Sequence, residues 1–251
     1  MISDLAHQYG DVTVIQGDPR VYGRLYVGTN GRGILYADIH IPPSSLPDGW
    51  ITQDIGSPGS AGAAGSPASG DWEVIGGGAG IGGTSDQFRF AYTTLTGDGI
   101  ITARVMDVPN ASPANNNAKA GVMIRNALTA NSANVFMAMT PGSVNGAVFQ
   151  ARTSSGGSTS SVNATTGVWN PYWVRLTRVG NSFTAERSPD GVNWSLVGNQ
   201  NVPMGSEVYV GLAVTASDNN QLNISSFQSV NVEATSLSVP TAPSDLAGTV
   251  I

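Results

Sequence analysis

Four glutamates, two histidines, one lysine and no cysteine set the chemistry open to this 251-residue chain. Without cysteine there is no disulfide, thiolate metal site or thiol nucleophile. His7 and His40 are too few and too far apart for a zinc or copper centre, which needs several nitrogen or sulfur ligands. GSPGSAG (56–62) has the glycines and serines of a nucleophile elbow, but it sits in low-complexity sequence with neither histidine near it. GGGAGIGG (76–83) lies between strand patterns and not before a helix, so it is no phosphate cradle. Oxygen ligands are plentiful, and calcium takes oxygen ligands. Asp86 in TSDQF and Asp218 in SDNN are the leading calcium candidates, with Asp54 next; the competing role for each is to cap local N–H groups at a turn.

Trp169 is the tryptophan that breaks the strand pattern. It stands in TGVWNPYW (166–173), where Pro171 bars the helical conformation at Asn170 and favours an extended turn that projects the indole. An exposed indole is a stacking platform for the C–H face of a sugar, and Asn170 and Tyr172 are placed to add hydrogen bonds. Trp50, Trp72, Trp173 and Trp194 sit on or beside strand patterns and read as core packing. Arg89, Arg104, Arg125, Arg175, Arg178 and Arg187 alternate along strands, where solvated charge is the expectation.

The elements that must position these residues are strands. Glycine (32) and proline (14) supply turns for many short strands, and charged residues make up only 11% of the chain. FRFAY (88–92) puts Phe88, Phe90 and Tyr92 on one face. ITARVMDV (101–108), AGVMIRNA (120–127), NVFMAMT (134–140), GAVFQART (146–153), YWVRLTRV (172–179), SFTAERS (182–188), WSLVG (194–198), EVYVGLAVT (207–215) and SFQSVNVEA (226–234) continue the series. SPDG (188–191) reads as a tight turn. About ten strands with turns between them imply an all-β, antiparallel β-sandwich. GSPGSAGAAGSPASG (56–70) and SSGGSTSSVNATTG (154–167) read as surface loops. Residues 1–38 hold three further strand patterns, 39–48 form a proline-rich linker, 49–234 form the sandwich, and 235–251 are a proline-rich tail. A net charge of −6 with so few cations excludes a nucleic-acid surface, and no apolar run is long enough to form a membrane helix.

GDPRVYGRLYVGTNGRGILYAD (17–38), with DLAHQYG (4–10), resembles the end of the catalytic propeller of family 74 glycoside hydrolases, the xyloglucanases. That family's catalytic aspartates lie far earlier in its chain, so the resemblance carries none over. The phrases GWITQDIGSPGSAG (49–62), GTSDQFRFAY (83–92), GDGIITARV (97–105), KAGVMIR (119–125) and PYWVRLTRVGNSFTAERSPDGVNW (171–194) are similar to bacterial modules of the concanavalin-A-like lectin/glucanase superfamily. The resemblance implies a jelly-roll sandwich, carbohydrate binding or adhesion, and calcium. Gly80 and Gly82 stand where those modules often carry aspartate and tryptophan. Glucanases of that superfamily hold their acids on one strand as E-x-D-x-E or E-x-D-x-x-E, and none of Glu73, Glu186, Glu207 and Glu233 begins such a motif. VPTAPSDL (239–246) resembles the entry to a fibronectin type III domain. These resemblances imply an extracellular, non-catalytic polysaccharide-binding module beside a tethered catalytic domain, though the chain shows no signal peptide of its own. The alternatives are a hydrolase active in this chain, or a spacer that binds no sugar.

Overall fold

Alternating hydrophobicity sorts residues between the faces of a strand. A computed structural model of the chain describes residues 12–17, 24–29, 33–38, 45–66, 70–109, 117–142 and 145–235. It divides into two units, Met1–Pro42 and Pro43–Ile251. In the first, β1 (Val12–Gly17), β2 (Arg24–Thr29) and β3 (Gly33–Asp38) form an antiparallel sheet in the order β1-β2-β3. Val27 is buried there, whereas Val14, Ile15, Ile34 and Tyr36 are exposed.

The second unit is an antiparallel β-sandwich, with no helix among the described residues. Its strands are β4 (Ile51–Ile55), β5 (Ala63–Gly65), β6 (Asp71–Gly78), β7 (Phe88–Thr96), β8 (Gly99–Asp107), β9 (Lys119–Arg125) and β10 (Asn134–Met139). There follow β11 (Ala147–Arg152), β12 (Ser160–Thr165), β13 (Tyr172–Val179), β14 (Ser182–Ser188), β15 (Ser195–Asn201), β16 (Glu207–Thr215) and β17 (Asp218–Ala234). One seven-stranded sheet runs β12-β11-β10-β9-β16-β7-β4, and the other runs β15-β14-β13-β8-β17-β6-β5. The low-complexity segment 154–167, expected as a loop, supplies edge strand β12, and segment 56–70 supplies the short β5. Serine, asparagine and threonine suit an edge that faces water on one side, so composition alone hides such a strand.

The main core lies between the sheets. Ala120, Val122 and Ile124 of β9 meet Val174 and Leu176 of β13 and Ile101, Ala103 and Val105 of β8 there. Glycine allows the sheets to close at one point: a Cβ on Gly76 of β6 would collide with the backbone carbonyl of Val214 on β16. The outer face of the first sheet carries a second apolar cluster, built on Phe88, Phe90 and Tyr92 with Met123 and Phe136. Phe90 and Tyr92 stack with centroids 5.0 Å apart. Strands β9 and β10 are therefore buried on both faces, as their unbroken apolar runs imply.

That outer cluster is closed by buried charge. Arg125, whose place on a strand implied solvated charge, is fully buried, as are Arg152 and Asp86. Arg125 spreads over the Phe88 ring at 5.1 Å and donates to the carbonyls of Ala127 and Thr129, each at 2.6 Å. Arg178 is buried as well, donating to the carbonyls of Gly180, Gly205 and Ser206. Trp72 is buried with Trp50 at its side, 4.6 Å between centroids, as expected of core residues. Trp194 is not core: it lies half-buried under Arg175, whose guanidinium is 4.0 Å from the ring and pairs with Glu186 at 2.7 Å.

Candidate functional site

The pairing registers bring distant strand ends to one rim. Lys119 at the start of β9 pairs with Thr215 at the end of β16, while Met139 at the end of β10 pairs with both Ala120 and Ala147. Ala147 in turn pairs with Thr165, the last residue of β12. From Thr165 the chain crosses to the second sheet, which it enters at Tyr172, opposite Val105. Trp169 lies on that crossing.

The Trp169 side chain is 60% exposed, far above any other tryptophan of the chain, in keeping with its place outside a strand. Beside it, Oδ1 of Asn170 is buried and accepts no hydrogen bond among the described residues. A buried amide oxygen without a donor is costly. Tyr172 differs from both. Its half-buried ring packs on the main core, and its hydroxyl accepts a hydrogen bond from Nη1 of Arg187 at 2.9 Å. The rim thus offers one open aromatic plate, flanked by a buried acceptor and by one hydroxyl already held in place.

Two clefts open on the outer face of the first sheet at this rim. Alternation along β9 turns Ala120 and Val122 inward, which leaves Lys119 on the outer face with Met123. The larger cleft, of about 500 Å³, lies between Lys119 and the loop carrying Gly80, Gly82, Ser85 and Gln87. The smaller, of about 230 Å³, continues across Thr140, Asn145, Ser161 and Thr166. Gly82, on the wall of the larger cleft, has open space where a Cβ would stand. A third cleft, of about 590 Å³, is lined by Trp50, Trp72, Thr93, Thr94 and Asn231.

The three aspartates considered for calcium are held in three separate settings. Both oxygens of Asp86 are gripped by Arg152, at 2.5 Å and 2.7 Å, with Nη1 of Arg125 at 3.6 Å. The amide of Gly82 and Nδ2 of Asn134 also donate to Asp86, at 3.2 Å and 3.3 Å. Arg152 ties this knot to the carbonyls of Ala130, Ser132 and Gly82, so it fastens the loop that walls the larger cleft. Burial pushes the Arg125 guanidinium down to about 10, with Arg152 pushing the same way and Asp86 opposing. Asp54 accepts from the Gly62 amide and pairs with Arg89 at 3.4 Å, and Asp218 caps the Asn220 amide at 2.9 Å. Among the described residues, no three of His, Cys, Asp and Glu gather as a metal site would require.

Sequence reasoning missed Arg152, Asn134 and the placement of Lys119. The unbroken apolar runs of β9 and β10 were the available signal, because a sheet buried on both faces needs a cover and the cover needs fastening. The SPDG turn is present: the Asp190 carboxylate accepts from the amides of Val192 and Asn193 and from the Asn193 side chain. Those bonds hold its pKa well below the usual carboxylate range.

Comparison with known proteins finds two different kinds of likeness. Over the first 15% or so of the chain, 37 residues are 76% identical to a xyloglucanase of a Paenibacillus species. A stretch of 38 residues is 68% identical to an oligoxyloglucan-reducing end-specific xyloglucanase of Emericella nidulans. The matches span 4% and 5% of those relatives' lengths. No family model matches the chain. Among solved structures, a functionally unknown protein from Saccharomyces cerevisiae aligns over 76% of this chain and 99% of its own, with a TM-score of 0.54 and 17% identity. A carbohydrate-binding module from Bacillus subtilis aligns over 77% of this chain and all of its own, with a TM-score of 0.44 and 14% identity. At such identities the likeness is one of fold.

Proposed function

We propose that the sandwich is a non-catalytic carbohydrate-binding module of a secreted enzyme that degrades plant polysaccharide, and that it takes β-glucan or xyloglucan chains at the Trp169 rim. The observation that carries this reading is the exposed Trp169 indole beside an unsatisfied Asn170 oxygen. A pyranose ring stacks on an indole with little demand on its identity. The xyloglucanase-like N-terminal stretch supports xyloglucan as the polymer and a tethered catalytic domain as the partner. Tethering would act by effective concentration, holding the catalytic domain near its substrate.

The test is affinity electrophoresis through gels containing xyloglucan, cellulose derivatives or no polysaccharide, with wild type, Trp169→Ala and Trp50→Ala. Retardation of wild type and Trp50→Ala, lost in Trp169→Ala, supports the reading. If Trp50→Ala alone loses retardation, the sugar sits in the Trp50–Trp72 cleft; if no glycan retards the wild type, the module is a spacer. Release of reducing sugar by the isolated chain would make it a hydrolase.

A further inference from the structure

Lys119 is the sole lysine of the chain, and it lines both outer-face clefts. Among the described residues its ammonium donates one hydrogen bond, to the Asn117 carbonyl at 3.3 Å. Among the described residues no carboxylate pairs with it. The sequence has no aspartate or glutamate between Asp107 and Glu186, so β9 to β13 bring none. Of the acids on neighbouring elements, Asp86 is committed to Arg152 and Asp218 to the Asn220 amide. Burial lowers the Lys119 pKa, and no neighbouring charge offsets it. A partly desolvated, unpaired cation is costly, and an anion brought into the cleft removes that cost.

The surrounding groups narrow the choice of anion. Ser85, Gln87 and Ser217 on one side and Thr140, Asn145 and Ser161 on the other are hydroxyls and amides, which suit a polyol. Among the described residues no arginine lines either cleft, so the paired fork that favours phosphate or sulfate is missing there. One point charge balances one carboxylate. The larger cleft, of about 500 Å³, falls within the roughly 300–1,000 Å³ usual for ligand pockets.

We propose that Lys119 anchors a second saccharide subsite, one that takes a carboxylate-bearing sugar, a uronic acid residue. The subsite is independent of the Trp169 contact and extends recognition from neutral glucans to acidic side chains or acidic polymers.

Because the chain has one lysine, reductive dimethylation with ¹³C-formaldehyde places a charge-preserving probe at Lys119 and at the N-terminal amine alone. The full chain is titrated with sodium glucuronate, glucose and inorganic phosphate while the Lys119 methyl signal is followed, and Lys119→Met identifies that signal. Glucuronate should shift it saturably, with glucose at least about tenfold weaker and phosphate without comparable effect. Trp169→Ala should respond as wild type, which separates failure of this subsite from failure of the Trp169 reading. Retention of unmodified protein in polygalacturonate gels should be lost in Lys119→Met and kept in Lys119→Arg. A Lys119 signal indifferent to glucuronate, an equal response to glucose or phosphate, or undiminished retention of Lys119→Met would each overturn the proposal.

Discussion

Asp86→Asn replaces a fully buried carboxylate with a group of the same shape and no charge, leaving Arg125 and Arg152 buried without a counter-ion. Breaking a buried pair from one side costs about 3–5 kcal/mol. For a folded unit of this size each kcal/mol lowers the melting temperature by about 2–4 °C, so a fall of roughly 6–20 °C is expected. Arg152→Met should cost less, because Asp86 keeps Arg125 at 3.6 Å, Asn134 and the Gly82 amide. The two changes should be non-additive by about 0.5–3 kcal/mol, as for residues that share one interaction. pH gives a second readout. Burial lowers the Arg125 pKa to about 10, below the usual guanidinium range, so above that pH the unfolded chain binds more protons than the folded one and stability rises with pH. Removing Asp86 removes the charge that holds the Arg125 pKa up, so the rise should begin at lower pH in Asp86→Asn. Urea unfolding at neutral and alkaline pH, with calorimetric melting, measures both effects. An Asp86→Asn protein within about 1 kcal/mol of wild type would refute the reasoning, since a genuinely buried charge imbalance cannot be that cheap.

Other outcomes follow from the same geometry. Trp169→Ala should lose polysaccharide retention with a stability change within about 0.5 kcal/mol, measured by electrophoresis and thermal melting, because an exposed side chain holds little of the fold. Gly76→Ala should destabilise by about 1–3 kcal/mol, as overpacking does, because the new methyl meets the Val214 backbone and not a movable side chain; denaturant midpoints read this directly. The Lys119 ammonium should titrate below the ordinary 10.5, followed by the dimethyl signal with allowance for the modification. If calcium binds at Asp218 or Asp54, chelator should lower the melting temperature, whereas the Asp86→Asn deficit should be the same with and without chelator.

Much of the fold is legible along the chain. Phe88, Phe90 and Tyr92 alternate with Arg89 and Ala91, and the structure puts those rings together on one face of β7. YWVRLTRV and SFTAERS are strands to the residue, because a hydrophobic–polar period of two has one good solution when one face is buried. Where composition replaced pattern as the guide, the reading failed: serine-rich β12 pairs with β11 although its side chains name no face. Alternation alone does not show whether an arginine on a strand meets water or a buried partner: Arg125 is buried on the face away from the main core, and Arg178 on the face of Val174 and Leu176.

By itself, the sequence determined the all-β class, the strand series, the SPDG turn and the isolation of Trp169 from any strand, because each depends on neighbours a few residues away. Only the tertiary structure decided the rest. Asp86 finds Arg152 across 66 positions, Lys119 reaches the rim through its pairing with Thr215, and Trp169 joins that rim because the crossing between the sheets falls there. Such meetings are set by strand order and register, which arise from burying two faces at once, and no local pattern records which distant strand will lie alongside.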